Sequence, residues 1–397
     1  MKDVFISDGT IITDGRQYEN PGIMLHEGKI VSFGSDSVDA MHYSAAGKYI
    51  TPGFMDIHTH GAMGFDFTEG TWRAYNEISK YQARHGVTSL LATTLTMPMG
   101  EILHCCYAMR EMSERPFEGS NILGLHLEGP FISKKNKGAH SEEDILPSEK
   151  RYYQELLQFT DIIRNMTVSP ENEGAVQLIR EFADRGVTIS GGHDDAGEPC
   201  IESAIRAGMT HSTHLFCVMS SIHRENGRKV CGLTELSLLD PRITTEVIAD
   251  GVHTNEAMVK LAFKCKGAEG LCLVSDMLSV GGMPADGRLH TLEVPGVQGG
   301  LSVIVGDGVA KLAGSGLNAG SITPLDAMVR RVYGYGIPLP AVIQMVTSTP
   351  ASVIGEEKKG SIQVGKDADL CILDGDLHVV STIVGGSVVY QRNEAEK

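Results

Sequence analysis

Between residues 50 and 276 short apolar or β-branched runs alternate with longer amphipathic stretches, and no other feature restricts the fold so strongly. Eight such runs occur: 49–60 (YITPGFMDIHTH), 87–96 (VTSLLATTLT), 122–129 (ILGLHLEG), 162–170 (IIRNMTVSP), 187–193 (VTISGGH), 209–216 (MTHSTHLF), 244–251 (TTEVIADG) and 271–276 (LCLVSD). Strands separated by helix-length crossovers pair in parallel. The intervening segment 173–186 puts Ala175, Leu178, Ile179 and Phe182 on one helical stripe and ends at Gly186, a residue suited to a helix C-terminus. Eight βα units predict an α/β fold closed as a (β/α)8, TIM-like barrel. The flanks differ. Residues 1–50 and 360–391 read as short alternating strands with Gly and Asp turns and no helical period. Residues 1–52 and 360–397 are therefore expected to form one small β-sandwich domain, with the barrel, 53–359, inserted between them.

With 397 residues the chain has enough length for a large barrel core and a second small one. Its 50 acidic residues outnumber 34 basic ones, for a formal charge of -16 without any Lys/Arg-rich run. Neither nucleic acid nor an anionic membrane is expected as a partner. The 8 cysteines are scattered with no CxxC pair, and the opening MKDVFISDGT lacks a charged-then-apolar signal pattern. No apolar run reaches the ~18 residues of a membrane span. A soluble cytoplasmic protein with reduced thiols is expected.

In a barrel of this kind, chemistry sits at the C-terminal ends of the strands. Here those ends carry His58 and His60 (first), Glu128 (third), His193 (fifth), His214 (sixth) and Asp276 (eighth). Strand alternation turns His58 and His60 to one face, about 7 Å apart along the chain. Taken singly, His193 or His214 reads equally as a hydrogen-bonded core histidine, and Asp276 as a helix N-cap. Jointly, imidazoles and carboxylates converging on one end form a ligand set for Zn²⁺, Fe²⁺ or Mn²⁺, one or two ions per chain, with Zn²⁺ foremost.

These residues resemble the amidohydrolase superfamily, and LGLHLEGPFISKKNKGAH (123–140) is similar to the N-acetylglucosamine-6-phosphate deacetylase family within it. GGH (191–193), THLF (213–216), HREN (223–226), VIADGVH (247–253), LVSD (273–276), LAGS (312–315) and the GKDADL tail follow in the family's order. The resemblance implies that Glu128, His193 and His214 hold one metal, that His58 and His60 add a second site, and that Asp276 is the general base. It implies hydrolysis of an N-acetyl-D-glucosamine 6-phosphate to acetate and the amino sugar phosphate. Substrate contacts would come from Ala139, His140, Cys217, Val218, Arg224, His253 and Leu312, Ala313, Gly314 and Ser315. A homodimer is implied, with part of the phosphate site supplied by the partner chain.

Departures keep alternatives open. Where the family has Asn-Ala after HLF, this chain has Cys217-Val218, which removes an amide and leaves the galacto epimer in play. Asp194 and Asp195 beside His193 are expected to start a helix, where acidic side chains cap. An amidohydrolase acting on a non-phosphorylated amide is a second reading, and a non-catalytic sugar-phosphate binder a third. Asp276 argues against the last, because a pure binder has no use for a base beside a metal.

Overall fold

The computed structural model describes residues 3–34, 39–113, 115–293, 295, 300–306 and 308–393. Eight parallel strands run side by side in chain order: Phe54–Thr59, Val87–Thr94, Asn121–Glu128, Ile163–Val168, Thr188–Gly191, Met209–Ser212, Thr244–Val247 and Leu271–Leu273. Seven fall within the sequence runs, and the third begins one residue before its run. The eighth strand is short, and closure onto the first is made just past its end, where Asp276 N–H donates to His58 O (2.9 Å) and Ser275 N–H to Asp56 Oδ1 (3.2 Å). The chain is thus a TIM-like barrel.

Helices pack outside the strands on apolar stripes. In the helix Ala175–Ala183 the buried residues are Ala175, Leu178, Ile179 and Phe182, the stripe read from sequence. The barrel interior is instead strongly polar. His126 Nε2 lies 2.8 Å from Thr167 Oγ1, which lies 2.8 Å from Thr213 Oγ1. Ser190 Oγ donates to Asn165 Oδ1 (2.7 Å) and Ser212 Oγ to Thr245 Oγ1 (2.7 Å). Buried polar groups of this kind persist only when paired. The interior is therefore a hydrogen-bonded floor beneath the strand ends.

The two flanks meet. Strand Leu370–Leu373 pairs antiparallel with Tyr49–Pro52 inside a six-stranded sheet, which packs on a four-stranded sheet built around Val4–Ser7. Val4, Ile6, Leu25, Ile50, Leu370 and Ile372 share the core between them. The GKDADL tail explains part of this join, because Lys359 Nζ contacts Asp369 Oδ2 (2.5 Å) and Asp367 Oδ2 (2.9 Å), while Gly53 N–H donates to Asp369 O (2.9 Å).

One sheet was not anticipated. Leu289–Leu292, Leu301–Gly306, Val309–Leu312 and Asn318–Ser321 form an antiparallel four-stranded sheet after the eighth barrel strand. It has its own core of Leu278, Val280, Leu292, Val303, Val305 and Ala310. The signal was present in SVIVGDGVAKL, two apolar runs around a Gly-Asp-Gly turn. Among the described residues, no helix is long and apolar enough to cross a membrane.

Candidate active site

Three strand-end residues converge on one point. Glu128 Oε1 is 3.1 Å from His193 Nε2 and 3.1 Å from His214 Nε2, and the two nitrogens are 3.0 Å apart. All three residues are buried. His193 Nδ1–H donates to Asn136 O (3.0 Å), so its Nε2 offers a lone pair inward. Ligands held at about 2.0–2.1 Å in a tetrahedron stand about 3.3 Å apart, so this triangle has the dimensions of one face of a first-row metal site.

A second group shares Glu128. His58, His60 and Glu128 also bring ligand atoms within one metal's reach. His60 Nε2 lies 3.3 Å from Glu128 Oε2 and 3.1 Å from Asp276 Oδ1. His58 Nε2 is fully buried, lacks a hydrogen-bond partner, and faces Glu128 and Asp276 at 3.5 Å each. An orphaned imidazole nitrogen between two carboxylates fits a cation.

Electrostatics say the same. Burial works against charge on His58, yet the carboxylates of Glu128, Glu246 and Asp276 raise its pKa well above the imidazole range. Against the same burial, Asp276 and Glu128 hold His60 at about 9. Burial would push Glu128 up, but His58 and hydrogen bonds from the other histidines hold it well below the carboxylate range. Asp276 is likewise depressed by His58 and His60 against its burial. The cluster of carboxylates demands positive charge at its centre.

Backbone strain marks the same residues. His193, His214 and Asp276 have φ of 48°, 29° and 44°, left-handed values that residues with a β-carbon adopt at a cost and that cluster at active sites as well as in turns.

Sequence reading missed Glu246. It is fully buried in the seventh strand, where Oε1 accepts from His58 Nδ1–H (2.6 Å) and His214 N–H (3.1 Å) and Oε2 lies 3.3 Å from His211 Nε2. A carboxylate inside TTEVIADG was the available sign.

Above the cluster lies a cavity of about 420 Å³, floored by His60, Glu128, His193, His214 and Asp276 and walled by Ala139, His140, Cys217, Val218 and His253. His58 lies beneath it. Thr96 N–H donates to His140 Nδ1 (3.1 Å), which fixes the ring proton on Nε2, 3.5 Å from Glu128 Oε2. His253 Nδ1 lies 2.7 Å from Asp250 Oδ2. Burial pushes the Cys217 thiol up to about 12, so it is neutral.

Other expected residues lie elsewhere. Leu312, Ala313, Gly314 and Ser315 do not line the cavity; Gly316 to Gly320 do. The chain carries Ala-Gly-Ser twice, at 313–315 and 319–321. The second copy is tied to the eighth strand's end, with Ser321 N–H donating to Asp276 O (2.9 Å) and Leu278 N–H to Ser321 O (3.1 Å). The first is an exposed turn. Arg224 sits on an exposed hairpin formed by His223–Glu225 and Arg228–Val230, outside the cavity, which among the described residues no Lys or Arg lines. Asp194 and Asp195 do not start a helix, since the next helix is Glu198–Ala207 with Gly197 at its N-cap. Buried Asp194 instead accepts from Ser220 Oγ (2.6 Å) and Ala196 N–H (3.0 Å), and Asp195 pairs with Lys135 (2.7 Å) at the surface.

The model of the amidohydrolase family matches residues 49–389. The chain is 31% identical to the N-acetylglucosamine-6-phosphate deacetylase of Bacillus subtilis, over 100% of this chain and 99% of that one. It is 35% identical to that of Homo sapiens, over 88% and 86%. Among solved structures, the N-acetylglucosamine-6-phosphate deacetylase of Pasteurella multocida superposes with a TM-score of 0.89 at 28% identity, covering 98% of this chain and 100% of that one. A mutant of the Mycobacterium smegmatis deacetylase, solved in complex with N-acetyl-D-glucosamine-6-phosphate, superposes with a TM-score of 0.88 at 26% identity, covering 98% and 100%. The chain belongs to the amidohydrolase family, among its N-acetylglucosamine-6-phosphate deacetylases.

Proposed function

We propose that this chain hydrolyses the acetamide of N-acetyl-D-glucosamine 6-phosphate, giving glucosamine 6-phosphate and acetate. The observation that carries the reading is the Asp276 carboxylate on the floor of the same cavity as the triangle of Glu128, His193 and His214. Glu128, His193 and His214 would hold one divalent ion, Zn²⁺ foremost, and His58 and His60 with Glu128 a second. When bound, such an ion supplies Lewis acidity, polarising a carbonyl and making water more acidic.

Asp276 takes the proton of the attacking water as the carbon–oxygen bond forms, then delivers it to the nitrogen as the carbon–nitrogen bond breaks. Its charged form, favoured by His58 and His60, suits the first role. His140 presents Nε2–H to the substrate's oxygen atoms. His253, held by Asp250, meets the phosphate. With no Lys or Arg among the described residues of the cavity wall, one imidazole leaves a dianion underpaired. We therefore assign Arg224 to the neighbouring site of a homodimer, reached from its exposed hairpin.

Cys217 and Val218 support a second reading of substrate identity, because neither side chain orients a sugar hydroxyl and the galacto epimer would meet the same wall. The absence of disulfides among the eight cysteines is consistent with a cytoplasmic location. The separate apolar core of the paired sheets supports a domain division into 1–52 with 360–397 and 53–359. The deciding experiment measures acetate release from the gluco and galacto 6-phosphates and their unphosphorylated sugars, with metal content determined on the same preparation. Turnover of unphosphorylated amides alone would overturn the assignment.

A further inference from the structure

A smaller hollow of about 210 Å³ adjoins the cavity. Leu95, Ala139, His140 and Ala319 line both spaces, so the two are neighbours across a shared wall. Leu278 and Leu301, both contributed by the segment after the eighth strand, line only the hollow, as do Thr96 and Ser141. His140 is the dividing element, with Nε2 3.5 Å from Glu128 Oε2. The hollow therefore begins one imidazole away from the hydrolytic centre.

Position and chemistry together select its occupant. The amide must sit at the centre, so the nearest space beyond it receives whatever the amide carbonyl bears. Five of the eight wall residues are aliphatic, and no carboxylate, lysine or arginine is among them. The other three, Thr96, His140 and Ser141, offer few polar atoms, too few to replace the water that a sugar ring or phosphate would lose on entering. An alkyl chain would gain from the same transfer. A water's share of liquid volume is about 30 Å³, so the hollow has room for several methylene-sized groups.

We propose that this hollow is an acyl subsite, which takes the alkyl chain of N-acyl groups longer than acetyl on a hexosamine 6-phosphate. The inference rests on the deacylase reading above and extends its substrate class. The reaction is unchanged: water's oxygen bonds to the acyl carbon, the carbon–nitrogen bond breaks, and the proton goes to the amine.

The test measures kcat/KM for N-acetyl, N-propanoyl and N-butanoyl glucosamine 6-phosphate with the metal-loaded wild type and two variants, Leu301→Trp and Ser141→Phe. They fill the hollow from different segments, so misfolding of one leaves the other informative. Wild type is expected to use the butanoyl substrate with a rate constant at least equal to that for acetyl, since each methylene buried contributes up to about fourfold. Each folded variant is expected to lose about tenfold on butanoyl and less than about twofold on acetyl. A tenfold fall per added methylene in wild type, or equal losses on all three substrates in both variants, would overturn the subsite. Failure of all three substrates in wild type would strike the deacylase reading itself.

Discussion

Glu246 Oε1 lies 2.6 Å from His58 Nδ1, and both side chains are fully buried. Because the carboxylate can only accept, Nδ1 carries a proton and Nε2 is turned to Glu128 and Asp276. The same oxygen accepts from the backbone of His214, 3.1 Å away. One carboxylate thus orients a histidine from each metal group.

Glu246→Gln would present an amide N–H toward His58 or His211, which already point donors there. Metal affinity at the His58/His60/Glu128 group is expected to fall about 10–100-fold, with the Glu128/His193/His214 group retained. Metal-to-protein ratios across a chelator series read this directly, and an unchanged series contradicts it.

Asp276→Asn keeps the shape of the site and removes the base. Turnover is expected to fall by about 10²–10⁴-fold with fold and metal content kept. A variant retaining more than half of wild-type activity would exclude Asp276 as the base.

Glu128 is the only anion in either metal group. Glu128→Gln is expected to release most of the bound metal, because neutral ligands alone hold a divalent ion poorly. Full metal content in the purified variant refutes the assignment.

His253 titrates above the ordinary imidazole range: burial lowers its pKa, but the hydrogen bond to Asp250 outweighs it. A raised pKa means positive charge present at lower pH and lost as pH rises through it. KM for the 6-phosphate should climb across that interval in wild type and stay flat in His253→Gln. The alternative outcome, the same alkaline limb in both, places the phosphate elsewhere.

Arg224→Ala is expected to lower kcat/KM at least tenfold on the 6-phosphate and leave unphosphorylated sugars nearly unaffected. If Arg224 serves the neighbouring site, mixing this variant with Asp276→Asn subunits restores about a quarter of the wild-type sites by random pairing. No recovery on mixing places the residue in its own chain's site.

Lys359, largely shielded from solvent, lies between Asp367 and buried Asp369 where the paired sheets join the barrel. Lys359→Met leaves Asp369 buried without its cation, at a cost of about 3–5 kcal/mol. Thermal denaturation should show a Tm lowered by several degrees, and an unchanged Tm would remove this pair from the fold's supports.

The sequence by itself determined the barrel, because its evidence is local: strands alternate with period 2 and helices with 3.6, and Ala175, Leu178, Ile179 and Phe182 follow that rule without reference to anything distant. It also determined that His58, His60, Glu128, His193, His214 and Asp276 stand at strand ends. Only closure of the barrel decided their distances, since Glu128 meets His214 across 86 residues and His58 meets Glu246 across 188. The left-handed backbone at His193, His214 and Asp276 had no local signature, because such strain persists only when surrounding contacts impose it. Tertiary structure likewise chose between the two Ala-Gly-Ser copies, since only the second hydrogen-bonds to the end of the eighth strand. It turned Asp194 from an expected helix cap into the anchor of Ser220, and put Arg224 on a hairpin outside its own chain's cavity. A motif supplies residue types; pairing across the closed sheet decides which of them face the substrate.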